Sequence, residues 1–422
     1  MKAPISRIAN LFCDEPYRLF FPLGVLIGLV GVSQWSFYAL GWLEKYPGDS
    51  HPSIQIQTYM ASFVLGFMLT ALPRFASAPR ARGWEVLTFL ILTLTIFCSL
   101  IFNQRVAAEI CFIGWLVALA SFVAIRFLKR TAPAVGVGPP TNFVWIPVAV
   151  ITGITGNVLL ILGQLELAPG WTIGVGKPMA EQGFLLSIVV GIGGFLAPRL
   201  MGIYKMPKPS EILSQGIVLR SRIYGVIIHL IAAVLLFGSF WFEGLGLTFW
   251  GYLLRAVVVT GELVWNKAIP FPPKMSGVYA WLLWLSMWMV ALGCWAQMLF
   301  PIYRKEMLHL VFIGGFSLMA FSVATVVTLS HSGEAKALQR QLWALWVVAV
   351  GLAVALVLRV ISGLPIDIGI NYFTILGIAA GFWTVAAVLW LCFISPKVLR
   401  VPNVGEFERQ HELAKQRLLD AK

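Results

Sequence analysis

Apolar residues run along this chain in blocks of about twenty, separated by short stretches rich in charge, proline and glycine. A block of that length matches the ~20 residues an α-helix needs to cross ~30 Å of hydrocarbon. In lipid a segment must satisfy its own backbone hydrogen bonds, so such blocks form helices. The pattern predicts spans at 19–41, 54–73, 84–103, 106–128, 142–163, 181–200, 222–242, 246–266, 277–299, 308–330, 341–361 and 372–394. Polar or Pro/Gly-rich breaks separate them at Lys45 to His51, Pro79 to Gly83, Thr131 to Pro140, Ala168 to Pro178 and Pro270 to Ser276. The expected fold is an all-α polytopic membrane bundle of about twelve helices. Residues 1–18 form an N-terminal segment, 19–394 a single transmembrane domain, and 395–422 a charged helix-forming tail.

Composition agrees: 59% of the 422 residues are hydrophobic and 12% charged, where a soluble domain carries about 25% charged residues. The net charge of +13 would suggest nucleic acid if the basic residues clustered, but they sit in the short breaks, which points to topology and anionic lipid. With the N-terminus placed inside, 24 of the 31 Lys and Arg fall on the cytoplasmic side. Six fall outside (Lys45, Arg105, Lys177, Arg304, Lys305, Arg359), and Arg255 lies within a span. This split predicts an inner-membrane protein with both termini cytoplasmic, with Arg304 and Lys305 as the local violation. The five cysteines are scattered without CxxC or CxxCH, against a disulfide scaffold, a zinc site or covalent haem. No Walker loop or dinucleotide fingerprint is present, against an ATP-driven pump or a dehydrogenase.

Two spans end alike. Gly66-Phe67-Met68-Leu69-Thr70-Ala71-Leu72-Pro73-Arg74 closes the second, and Gly191-Ile192-Gly193-Gly194-Phe195-Leu196-Ala197-Pro198-Arg199 the sixth. Gly, Pro and Arg coincide, and the same offset superposes Gln57 on Gln182. The tenth span falls roughly one period further on. Twelve helices then divide into three groups of four, a pseudo-threefold arrangement; chance is the alternative, since Pro-Arg at a helix end is unremarkable.

Histidine is the informative residue type. His51 and His309 stand at the outer starts of the second and tenth spans, His331 at the inner end of the tenth, and His229 about two turns into the seventh. Neutral imidazole is the usual axial ligand of haem iron and a good copper ligand. If the second and tenth helices are neighbours, His51 and His309 can clamp one haem edge-on; each could equally be an interfacial hydrogen-bonding residue. His309 and His331 cannot share a metal, because 22 residues of helix span about 33 Å. Arg255 is a charge near the middle of a span, so it must be paired or face a cavity. Glu262, two turns along the same face, is one partner; a propionate or other anion is another. Further polar residues gather at the outer mouths: Gln55 and Gln57, Glu181 and Gln182, and Asn103, Gln104, Arg105 and Glu109. They read either as an outer polar site, with Arg105 as an anion contact, or as ordinary capping and solvation.

Three blocks resemble the NnrS family of bacterial membrane proteins. Glu15-Pro16-Tyr17-Arg18-Leu19-Phe20-Phe21 is similar to the family's N-terminal start. His51-Pro52-Ser53-Ile54-Gln55 through Gly66 to Pro73 resembles its second-span block. His309, Gly314, Met319 and Thr325 through Gly333 resemble its tenth-span block, which closes on His331. The resemblance implies haem b and copper, and a role in nitric oxide metabolism or nitrosative-stress resistance. It makes His51, His309 and His331 the metal-ligand candidates, with Arg255 and Arg105 as cofactor contacts. The family's second histidine and its glutamate fall on Ser53 and Ile54, and its tenth-span arginine on Val326; these departures bear on copper more than on a haem held by His51 and His309. The three-by-four helix order is also similar to the haem–copper oxidase catalytic subunit, although fold alone does not carry function. The expected partners are lipid, haem and nitric oxide, and no nucleic acid. A metal-free transporter with an outward polar vestibule is the alternative.

Overall fold

A computed structural model describes residues 10–76, 78–129, 140–204, 219–340, 342–365 and 369–400. The described residues form helices joined by short turns, with no strand among them. Twelve long helices follow the predicted spans to within a few residues at most ends. They are α1 (Tyr17–Ala39), α2 (His51–Phe75), α3 (Gly83–Ile101), α4 (Arg105–Leu128), α5 (Thr141–Gln164), α6 (Trp171–Leu200) and α7 (Arg222–Gly244), then α8 (Thr248–Trp265). The rest are α9 (Val278–Leu299), α10 (Pro301–His331), α11 (Trp343–Gly363) and α12 (Tyr372–Val398). Among the described residues eleven of them are long and apolar enough to cross a membrane. The exception is α8, 18 residues long, in which Arg255 and Glu262 interrupt the apolar run. Both α6 and α10 begin well before their predicted starts. The N-terminal residues 1–9 and the tail from 401 onward lie outside the described residues.

Burial divides the helices into two classes. In the most apolar stretch of α2 and of α6, 83% of residues are buried, and in that of α10, 67%; every other span stands at 50% or less. The outer helices turn large apolar side chains outward, such as Leu87 and Ile91 on α3, Ile231 and Val234 on α7, and Val350 and Val357 on α11. Lipid is the solvent that accepts such a surface. The inner three form the centre.

The inner helices share a second property. Each leaves α-helical hydrogen bonding for a π-helical stretch: Ile54–Met60 in α2, Met179–Gly183 and Val189–Gly193 in α6, and Leu310–Ser317 in α10. Such stretches are rare and occur often at functional sites. Gln57 and Gln182, which coincide in the predicted repeat, both lie in π-helical turns and both are buried. The predicted grouping of second, sixth and tenth helices thus has a counterpart in burial and in hydrogen-bond register.

Close packing fixes α1 against α2. Gly24 and Gly28 lie one turn apart, and a Cβ on Gly28 would stand 2.8 Å from the Tyr59 ring. Small residues at this spacing let membrane helices approach at backbone distance. That approach brings the Gly31 carbonyl within reach of His51, at the head of α2.

Candidate functional site

The bundle has two ends: a terminal end, where residues near 15 and near 400 meet, and a distal end, where α2 and α10 begin. His51 and His309 are both distal. His51 stands three residues before the π-helical turn of α2, and His309 immediately before that of α10. Each is half-buried. His51 Nδ1 donates to the Gly31 carbonyl at 2.9 Å, and its ring meets Trp35 edge-on at 5.8 Å. His309 Nδ1 donates to the Lys305 carbonyl at 2.6 Å. A carbonyl that takes the Nδ1 proton fixes the tautomer and leaves the Nε2 lone pair for a ligand. No described residue hydrogen-bonds Nε2 of either ring. The two imidazoles lie within electrostatic reach of one another, and Arg359 acts on both.

Arg359, near the distal end of α11, reads in the sequence as an outer-loop charge, and the structure sets it beside the distal histidines. Its guanidinium is largely buried and bonds Glu306 Oε1 at 3.3 Å and Ser362 Oγ at 3.2 Å. A charge one turn inside an apolar span was the available signal. Glu306, three residues before His309, ties this cation to the head of α10.

The other predicted residues separate. Arg105 is distal and exposed, and pairs with Asp49 at 3.1 Å, two residues before His51. Arg255 does not pair with Glu262. Its carboxylate is Glu243 at 2.5 Å, with Gln182 Oε1 at 2.9 Å and the Phe240 ring face 4.1 Å away. Glu262 instead accepts from His229 Nδ1 at 2.9 Å. A same-face spacing within α8 was overridden by partners on α7, which packs directly against it. Glu243 also accepts from Arg304 at 2.9 Å, so one basic residue that violates the charge rule is the counter-ion of a buried carboxylate. Arg255 is 1% exposed, and its guanidinium is engaged by Glu243, Gln182 and Ser239. The other distal polar residues split between helix pairs: Gln57 bonds Asn157 at 3.1 Å, and Gln164 bonds Glu109 at 2.7 Å.

His331 belongs to the terminal end. Its Nδ1 donates to Glu15 Oε1 at 2.8 Å, and Arg74 Nη1 reaches Nε2 at 2.8 Å. Both nitrogens are thus committed to protein groups. Glu15 also takes Arg18 Nε at 2.6 Å, and Arg18 Nη1 donates to the Val398 and Arg400 carbonyls at 2.6 and 2.9 Å. Arg18 therefore caps α12, where a cation meets the negative end of the helix dipole. Burial pushes the Glu15 carboxyl up; the His331 hydrogen bond and the charges around it more than reverse this, and hold it down at about 2.

Among the described residues no group of three or more His, Cys, Asp or Glu is placed to hold a metal. One further feature lies among the inner helices, a cavity of about 110 Å³ between α1, α2, α6, α9 and α10, partly open to the exterior and lined only by apolar side chains.

No curated protein matches this chain. The family model described as NnrS protein matches residues 11–401. That match covers both ends of the bundle, the three inner helices and the two distal histidines, and the chain belongs to the NnrS family.

Proposed function

We propose that this protein binds haem b through His51 and His309 at the distal end of the bundle and acts in nitric oxide metabolism or nitrosative-stress resistance. One observation carries the reading. Two half-buried imidazoles, each shortly before the π-helical turn of an inner helix, have Nδ1 anchored to a main-chain carbonyl and Nε2 without a partner among the described residues. The donor set suits haem: neutral nitrogen ligands with fixed tautomers, and the Arg359 guanidinium nearby for a carboxylate. Haem bound there supplies a redox-active iron with affinity for small neutral diatomics. The protein's part is to orient both rings and to set the local charge through the Arg359–Glu306 pair. Family membership supports the tie to nitric oxide. Copper has less behind it, because Ser53 and Ile54 replace potential ligands beside His51. The twelve long helices, an even number, and the charge split support an inner-membrane location with cytoplasmic termini, which makes the distal end the outer one.

The test is a reduced-minus-oxidised spectrum of protein purified from cells supplied with haem. A Soret band that shifts on reduction and disappears in His51→Ala and His309→Ala is the expected result. No Soret band in the wild-type protein refutes the proposal.

A further inference from the structure

We infer that the cavity among the inner helices is a binding site for one small, uncharged, apolar molecule, separate from the histidine pair. Size sets the first limit. At about 110 Å³ the space, partly open to the exterior, is close in size to a closed ~150 Å³ protein cavity that stays dry and admits benzene or xenon. It is far too small for a porphyrin. Chemistry sets the second limit. No lining side chain carries nitrogen or oxygen. A water needs two to four polar partners and finds none, and a charged or hydrogen-bonding solute would lose its hydration without compensation. An apolar molecule of a few heavy atoms meets neither penalty.

The walls indicate more than loose packing. Met60 closes the π-helical turn of α2, Ile192 and Gly193 belong to the second such turn of α6, and Phe316 belongs to that of α10. All three inner helices therefore leave regular geometry where they border the same space. Gly193 keeps the space open. A Cβ there would stand 3.2 Å from Met287 Cε and 3.8 Å from Met319 Sδ. Thioethers and aromatic faces are polarizable, so they favour an apolar guest through dispersion. Met60 lies nine residues beyond His51 and Phe316 seven beyond His309, so the cavity begins roughly 10–14 Å along the same two helices. The inference does not rest on haem at the distal end.

Xenon is the probe. Crystals of the full chain pressurised with xenon should show one anomalous peak in the cavity. The peak should fall to background in Ala320→Phe, which fills the space from α10, in protein that keeps its elution profile. Should that variant not fold, prior soaking of wild-type crystals with benzene should abolish the same peak. Absence of xenon from the wild-type cavity overturns the inference. So does persistence of the peak in the filled variant or after benzene, or a lipid or detergent chain already occupying the space. The Soret band of the same samples separates the two readings: haem retained without xenon refutes only this one.

Discussion

The two ends of the bundle use histidine in opposite ways. At the terminal end His331 has a carboxylate on one nitrogen and a guanidinium on the other, so its ring is a strut between α10, α2 and the segment before α1. At the distal end His51 and His309 each give one nitrogen to a main-chain carbonyl and keep the other. The partner atoms decide the roles. A carbonyl orients an imidazole and leaves it a ligand, whereas a carboxylate with a cation makes it part of a salt-bridge network. The blocks singled out in the sequence sort the same way. Glu15, Arg18 and His331 converge at one end, joined by Arg74, and His51 and His309 lie at the other.

The largest expected effect breaks this comparison or secures it. His51→Ala and His309→Ala should each remove all or nearly all bound haem, measured as Soret absorbance per mole of protein. His331→Ala should retain haem and lose stability. Haem lost from His331→Ala, and kept in the other two, would reverse the assignment of roles.

Next in size is the terminal network. Glu15→Gln leaves Arg18, at 2% exposure, without its carboxylate. Breaking a buried pair of this kind costs about 3–5 kcal/mol, to be read from denaturation in detergent with haem content as the control. The same group gives a pH signature. Its carboxyl ionises at about 2, well below the ordinary 4.5. A lowered acid contributes stability that is complete above the ordinary value and is lost as pH falls through about 2. That gap amounts to about 3 kcal/mol. The wild type should lose this much between roughly pH 4.5 and 2, and Glu15→Gln should show a flatter acid limb.

Legibility in the sequence followed the physics of each feature. The spans were readable because lipid imposes length and hydropathy on a helix, and even the charge-bearing α8 fell where it was predicted. The distal histidines were readable because polar residues at the heads of apolar blocks are few. Hydrogen-bond register was not: nothing in Ile54–Met60 or Leu310–Ser317 signals a π-helical turn. Tertiary partners were also hidden. Arg255 has Glu262 on its own face and Glu243 in the last turn of α7, and packing against α7 chooses Glu243. Arg359 was absorbed into a topological count because charge near a span end normally means only the interface.

Arg359 gives a smaller and more specific prediction. Its replacement by Gln removes a positive charge from beside both distal rings while sparing their carbonyl anchors. Haem content should change little. The midpoint potential should fall by on the order of 70 mV, from a unit charge acting over roughly 10 Å at an effective dielectric near 20. An unchanged potential would place this cation outside the field of the iron.

Arg105 should give the smallest effect, and the contrast with Arg359 sharpens the distal site. Both are distal cations paired with a carboxylate near a histidine-bearing helix head. They differ in solvent. The Arg105 and Asp49 side chains are 42% and 51% exposed, those of Arg359 and Glu306 13% and 11%. An exposed pair is screened by water and salt and is worth about 0–1 kcal/mol, and its charge reaches the rings through high dielectric. Arg105→Ala should therefore leave haem content unchanged and move the midpoint potential far less than Arg359→Gln does, most visibly at low ionic strength. Equal shifts from the two variants would mean that the distal rings sit in open water, and the shielded site inferred from the buried Arg359–Glu306 pair would have to be abandoned.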